Sequence, residues 1–184
     1  IELINCQSGL IRSNIFHDMR DDAVDLNHCS DVIIDSNLIY NVADRGLEIG
    51  SETFGSCSNI SVQRNCFFNC KEAVNVKEGS TAGVINNTFY NNDYAVVTLA
   101  SEGFGQEMVQ VTNCIFEKNN VPIVQDTNAL VQVHYSCFSS FPHDGIGNFQ
   151  GNPLFLDPDG LDFNLYENSP CINSGSPFVN QDAD

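Results

Sequence analysis

SNLIYNVADRGLEIG at residues 36–50 and RNCFFNCKEAVNVKEG at 64–79 are two versions of one phrase, and their agreement decides the fold. Each begins with an Asn in second place, runs through apolar residues, turns on polar ones and closes on an alternating strand that starts with Gly or Ala. Outward from this pair, the opening half recurs as SNIFHD (13–18), NNTFYN (86–91), TNCIFE (112–117) and YSCFSS (135–140). The closing half recurs as AVDLN from Ala23, AVVTL from Ala95 and PIVQD from Pro122, and IELIN at the start matches it too. A third strand phrase precedes the Asn, as in DVIIDS (31–36), NISVQR (59–64) and AGVIN (82–86). Self-similarity at a steady period is the signature of a repeat architecture.

Asn14, Asn37, Asn65, Asn87, Asn113 and Ser136 are taken as equivalent, at steps of 23, 28, 22, 26 and 23 residues. Three short alternating strands per repeat predict an all-β fold, a right-handed single-stranded parallel β-helix of about six to seven coils. Leucine-rich repeats have similar periods but need a leucine framework that this chain lacks. Stacked coils put equivalent residues about 4.8 Å apart. Ile1, Val24, Leu47, Val74, Val96 and Ile123 should therefore form one inward row, and Phe16, Ile39, Phe67 and Phe89 another. The Asn column is expected at a sharp corner, because Asn tolerates the left-handed conformation and its amide can bond the same amide one coil away. The register at Asn113 stays open by one residue, since VQVTN (109–113) and VQVHYS (131–136) align differently on their valines and on their polar residues.

The repeat assigns residues 1–145 to the coils and 146–178, rich in Pro and Gly, to a C-terminal cap that hides the open end. Residues 179–184 read as a frayed tail or linker. Because the chain starts directly on a strand pattern, further N-terminal coils of a longer parent chain are expected before Ile1.

Composition narrows the partners. Seven Lys and Arg against 24 Asp and Glu give a formal charge of −17. That excludes nucleic acid, whose phosphates need a basic surface, and it repels polyanionic sugars unless a cation intervenes. No apolar run approaches the roughly 18–20 residues of a membrane span, so membrane insertion is not expected. The eight cysteines follow the repeat: Cys6, Cys29 and Cys57 share one position, and Cys66, Cys114 and Cys137 fall at or near another. They read as stacked, reduced core residues, with isolated disulfides through Cys70 or Cys171 as the alternative.

The N-x-F/I-x-N and G/A-V/I-x-V/L phrases resemble right-handed β-helix repeats of the pectate-lyase and polygalacturonase superfamily. DRGLEIGSE, NCKEAVNVKEG and NPLFLDPDGLDFNLYENSPCINSGSP look closest to secreted bacterial β-helix domains of uncharacterised role, some fused to spore-coat-kinase-like modules. The resemblance implies a secreted or cell-surface location and the fold named above. Within it, Asp21 and Asp22 are similar to the paired aspartates of polygalacturonases, DRGLEIGS to their Gly-His-Gly segment and NVK to their Arg-Ile-Lys. This chain departs from the pattern where it carries Arg45 for the His and Asn75 for the Arg.

With Val24 and Leu26 inward, the outward row is Glu2, Asp25, Glu48, Asn75, Val97 and Val124, followed two residues on by Ile4, Asn27, Gly50, Lys77, Leu99 and Asp126. The turns before it add Asp21, Asp22, Asp44, Arg45, Lys71 and Glu72. Polar groups thus gather on the first four coils. The catalytic candidates there are Asp22, Asp25, Arg45, Glu48 and Lys77, with Asn27 and Asn75 as ligand contacts. Adjacent carboxylates repel, so calcium at Asp21, Asp22, Asp25, Asp44 and Glu48 would relieve them. Calcium with Lys77 or Arg45 as base would make a polysaccharide lyase, and an Asp–Glu pair alone a glycoside hydrolase. A second candidate surface is the ring stripe His17, Tyr40, Phe68 and Tyr90, which should point outward and offer a sugar a stacking platform, unless the cap folds over it. The expected function is a noncatalytic extracellular module of a larger secreted bacterial protein: a stalk, an adhesin-like element or a carbohydrate-binding surface. The alternative is the calcium-assisted lyase or hydrolase. Its partners would be a polysaccharide or cell-surface glycan and neighbouring domains of the same chain.

Overall fold

The computed structural model describes residues 1–100 and 103–178. The tail expected at 179–184 and the centre of the turn at 100–107 lie outside them. Three rows of short strands wind around one core. The first row holds Glu2–Ile4, Val24–Asn27, Tyr94–Leu99 and Val121–Val124, and the third holds Ile15–Met19, Thr88–Tyr90, Ile115–Glu117, Cys137–Phe138 and Phe149–Gln150. Two long strands, Leu38–Ile49 and Cys66–Lys77, bend through the corner between these rows and join them in one eleven-stranded sheet. The second row is a separate six-stranded sheet running from Gly9–Arg12 to Leu130–His134. Pairing within both sheets is parallel, as a solenoid requires. The predicted β-helix is therefore the observed fold.

The inward rows match the reading of the sequence except at Ile1, which sits at the open end of its row and is exposed. Val24, Leu47, Val74, Val96 and Ile123 are in register. Phe16, Ile39, Phe67 and Phe89 are too, and the row continues through Phe116 and Phe138. Ring centroids of the four consecutive phenylalanines from Phe67 to Phe138 are 5.3, 4.9 and 4.7 Å apart, with interplanar angles of 7–8°. Near-parallel rings are not the electrostatic optimum, so the coil spacing imposes the stack and burial of the faces holds it.

This pairing settles the register at residue 113 and corrects the Asn column. Phe89 lies beside Phe116, so the rung after Asn87 is Cys114, followed by Ser136 and then Asn148. Each rung accepts from the coil before it. Asn37 Oδ1 takes the Asn14 N–H at 3.0 Å, Asn65 Oδ1 the Asn37 N–H at 2.9 Å, and Asn87 Oδ1 the Asn65 N–H at 2.8 Å. Ser136 Oγ does the same for Cys114 at 3.1 Å. The left-handed residue is the one before the rung, a second correction: Ser13, Ser36, Arg64, Asn86, Asn113 and Tyr135 have φ of 51–56°. The Asn serves the corner through its amide group, which satisfies buried backbone groups that the turn leaves unpaired.

The cysteines use the same device at another corner. Cys57 Sγ accepts the Cys29 N–H at 3.2 Å and donates to the Leu26 carbonyl at 3.1 Å, and the next rung is Ser80, whose Oγ accepts the Cys57 N–H. All eight cysteines are free thiols. Burial pushes the Cys57 thiol up to about 11 and those of Cys70 and Cys114 up to about 12, so these groups stay protonated.

Coil register persists slightly beyond the expected boundary, because Phe149–Gln150 still pairs in parallel with Cys137–Phe138. The chain then reverses into an antiparallel hairpin, Phe155–Asp157 with Asp162–Leu165. A short 3-10 turn at Pro158–Gly160 links the two, with Asp157 as its N-cap.

Candidate functional site

The polar face of the first row is a charge cluster centred on Arg45. Asp25, Glu48 and Asn75 stand in register on consecutive coils, as the alternation predicts. Arg45 follows the corner, where the backbone turns it back over this row. Its Nη1 lies 2.8 Å from Glu48, 3.3 Å from Asp44 and 3.6 Å from Asp22, and its Nε 3.4 Å from Glu72. Lys77 Nζ reaches the other Glu48 oxygen at 2.8 Å, and Lys71 holds Asp44 at 2.8 Å. Asn75 donates to Glu72 at 2.6 Å, and Asn27 donates to Glu2 and Asp25 at 3.2 and 3.0 Å. Five of the sequence candidates, Asp22, Asp25, Arg45, Glu48 and Lys77, therefore share one site with Asn27, Asn75 and Asp44. Glu72 belongs to it more closely than its place in the turn suggested, and its signal was the register that sets it beside Arg45.

The electrostatics are uneven. Glu48 is buried and ion-paired with two cations, Arg45 and Lys77, whereas Asp22 has weaker support. Burial pushes the Asp22 carboxyl up to about 6; the Arg45 backbone N–H at 3.0 Å opposes that rise and the charge of Glu48 adds to it. Asp44 is held below the usual carboxylate range, first by its hydrogen bond from Lys71. Acceptors outnumber donors on this face. Among the described residues of this face, Asp25 Oδ1, Glu48 Oε2 and Asn75 Oδ1 are buried without a hydrogen-bond donor, and Arg45 Nε is buried without a hydrogen-bond acceptor.

For calcium the geometry gives two groups of carboxylates, Asp21 with Asp22 and Asp44, and Asp22 with Asp25 and Glu48, whose oxygens lie within 4.8 Å of one another. In the second group the Arg45 guanidinium stands where a cation would neutralise the set. Calcium there would have to displace Arg45 from Glu48. The first group is more open, with Asp21 exposed, and Lys71 already pairs with its Asp44.

The ring stripe forms and is then divided. His17 stacks on Tyr40 at 5.1 Å and 9°, Tyr40 follows Phe68 at 6.4 Å, and Phe68 follows Tyr90 at 5.6 Å. The capping hairpin lays Phe163 against both Phe68 and Tyr90, at 6.1 and 5.5 Å, and Phe155 against Tyr90 at 6.0 Å. Lys118 donates to the Tyr90 hydroxyl at 2.7 Å. Phe68 and Tyr90 are thus covered by the protein's own cap, which corrects their expected place in an open platform. His17 and Tyr40 remain beyond the hairpin, and Phe116 points inward.

A stack of parallel coils with one polar outer face defines the class of β-solenoids. The family model described as "Right handed beta helix region" matches residues 1–156, and the chain belongs to that family. No curated protein and no solved structure matches it.

Proposed function

We propose that the chain is a carbohydrate-binding β-helix module that acts outside the cell and holds a neutral polysaccharide along the polar face of its first four coils. The observation that carries this reading is the cluster of carboxylates and amides there, in which the half-buried Asp25 keeps one oxygen, Oδ1, without a donor. Sugar hydroxyls are donors, and Asp25 is only half-buried at the surface they would approach. A uronate would bring more negative charge to a chain of net charge −17. The repeat carries two main insertions, at 51–58 and 100–107, and this openness suits the face to an extended strand of sugar. Binding without turnover follows from that openness, and the cations that catalysis would need are already held by Glu48, Asp44 and Glu72.

The test is calorimetric titration with soluble xylan, β-glucan and polygalacturonate, with and without calcium. Neutral polymers should bind without calcium, and Asp25→Ala should weaken binding about tenfold, the equivalent of one lost charged hydrogen bond. Binding of polygalacturonate alone, and only with calcium, would sink the reading. One observation favours glycoside hydrolysis instead: Asp22, with its carboxyl near 6, stands beside Asp44, whose carboxyl is held low, the arrangement of an acid and its partner. Release of reducing ends that Asp22→Asn abolishes would establish that second reading.

A further inference from the structure

Seven of the eight thiols sit along the coils, and four of these, Cys29, Cys57, Cys70 and Cys114, are buried and donate to carbonyls of the coil before them. Cys137 and Cys171 differ. Cys137 lies in the last coil and Cys171 in the cap, and both line one cavity of about 250 Å³. Their thiols face each other closely enough to interact directly. Apart from the rings of the hairpin, the cap's ties to the coils are few, among them the Ser176 N–H to Asn113 Oδ1 at 2.7 Å.

We propose that Cys137 and Cys171 form a disulfide that fastens the cap to the last coil. The pair is polarised for that chemistry: their mutual hydrogen bond lowers Cys171 below the usual thiol range and raises Cys137. Cys137 is buried and Cys171 only half-buried where both line the cavity, so Cys171 is the thiol that a small-molecule disulfide reaches, and it attacks as the thiolate. It displaces one thiolate from a small-molecule disulfide and leaves a mixed disulfide on Cys171. Cys137 then gives up its proton, attacks the Cys171 sulfur and releases the second thiol. Two cysteine thiols are oxidised and one donor disulfide is reduced to two thiols, so protons and electrons balance. The closed loop, residues 137–171, takes in the hairpin, and the cross-link removes freedom from its opened state.

The sequence makes the test direct. No Lys or Arg follows Lys118, so trypsin leaves residues 119–184 as one fragment with Cys137 and Cys171 as its two cysteines. After the native chain is treated with oxidised glutathione, this fragment should lose about 2 Da and regain it with dithiothreitol. A fragment that keeps both thiols, or ends with glutathione on either, would overturn the proposal. The tether itself is read by chymotrypsin cleavage near Phe163 and Tyr166, which should slow about tenfold in the oxidised chain. Equal cleavage rates in the two forms would remove the fastening role.

Discussion

Asp22 shows at the scale of one residue how the polar face is balanced against stability. Burial raises its carboxyl from 3.8 to about 6, so the folded state binds its proton more tightly than the unfolded chain does. The sign follows: ionising Asp22 destabilises the fold above about pH 6, and the penalty fades as pH falls toward 4. Asp22→Asn keeps an acceptor for the Arg45 N–H and removes the charge. It should stabilise the protein by about 1–2 kcal/mol at pH 7.5 and by nothing at pH 3.5, measured by urea unfolding. An equal effect at both pH values would show that packing, not ionisation, sets the cost. Asp35 is the opposite case. Burial pushes its carboxyl up, but the hydrogen bonds from Arg64 and Ser36 and the charges of Arg64 and Arg12 outweigh that and leave it low. Alternation alone placed Asp25, Glu48 and Asn75 on one outer row. It was silent on the Arg45 contacts, because a side chain that leaves a corner has no period to follow.

The element that organises the fold is the ladder at its corner. Asn65 accepts from both the N–H and the amide of Asn37 at 2.9 Å and donates to the Ile34 carbonyl at 2.8 Å. Asn65→Ala leaves several of these buried groups unpaired and should cost about 3 kcal/mol or more. Asn65→Ser should cost roughly half as much, since Ser136 shows that a hydroxyl can fill a rung. Chemical denaturation of both variants checks the order, and equal losses would deny that the acceptor is what matters. The ladder also explains why one residue was misread. Asn stands in most rungs, so the eye follows Asn to position 113, whereas the chain follows the acceptor, which is a cysteine at 114. The ring stripe was legible in its periodicity, whereas the hairpin that covers Phe68 and Tyr90 lies outside the repeat and carries no period that could decide between an open and a covered stripe.

Across the whole molecule, each coil touches its neighbours and little else, so local errors in register left the architecture legible. Phrases repeated six times outvote one ambiguous corner. The same reasoning makes net charge a property of the entire solenoid. With 24 acidic against seven basic residues, repulsion adds up along its length. Added salt screens exposed charges over about 10 Å at 0.1 M and less at higher concentration. The melting temperature should therefore rise between 20 and about 300 mM sodium chloride, read by circular dichroism, and a fall would mean that ion pairs such as those of Arg45 dominate.

The rungs of the ladder need only an acceptor, and each left-handed corner residue serves its own coil alone. One coil is accordingly the smallest piece of this protein that a gene can duplicate or delete while leaving every neighbouring contact of the same kind. Unequal exchange between phrases such as those at 36–50 and 64–79 would change the length of the polar face by whole steps, without inventing a new residue.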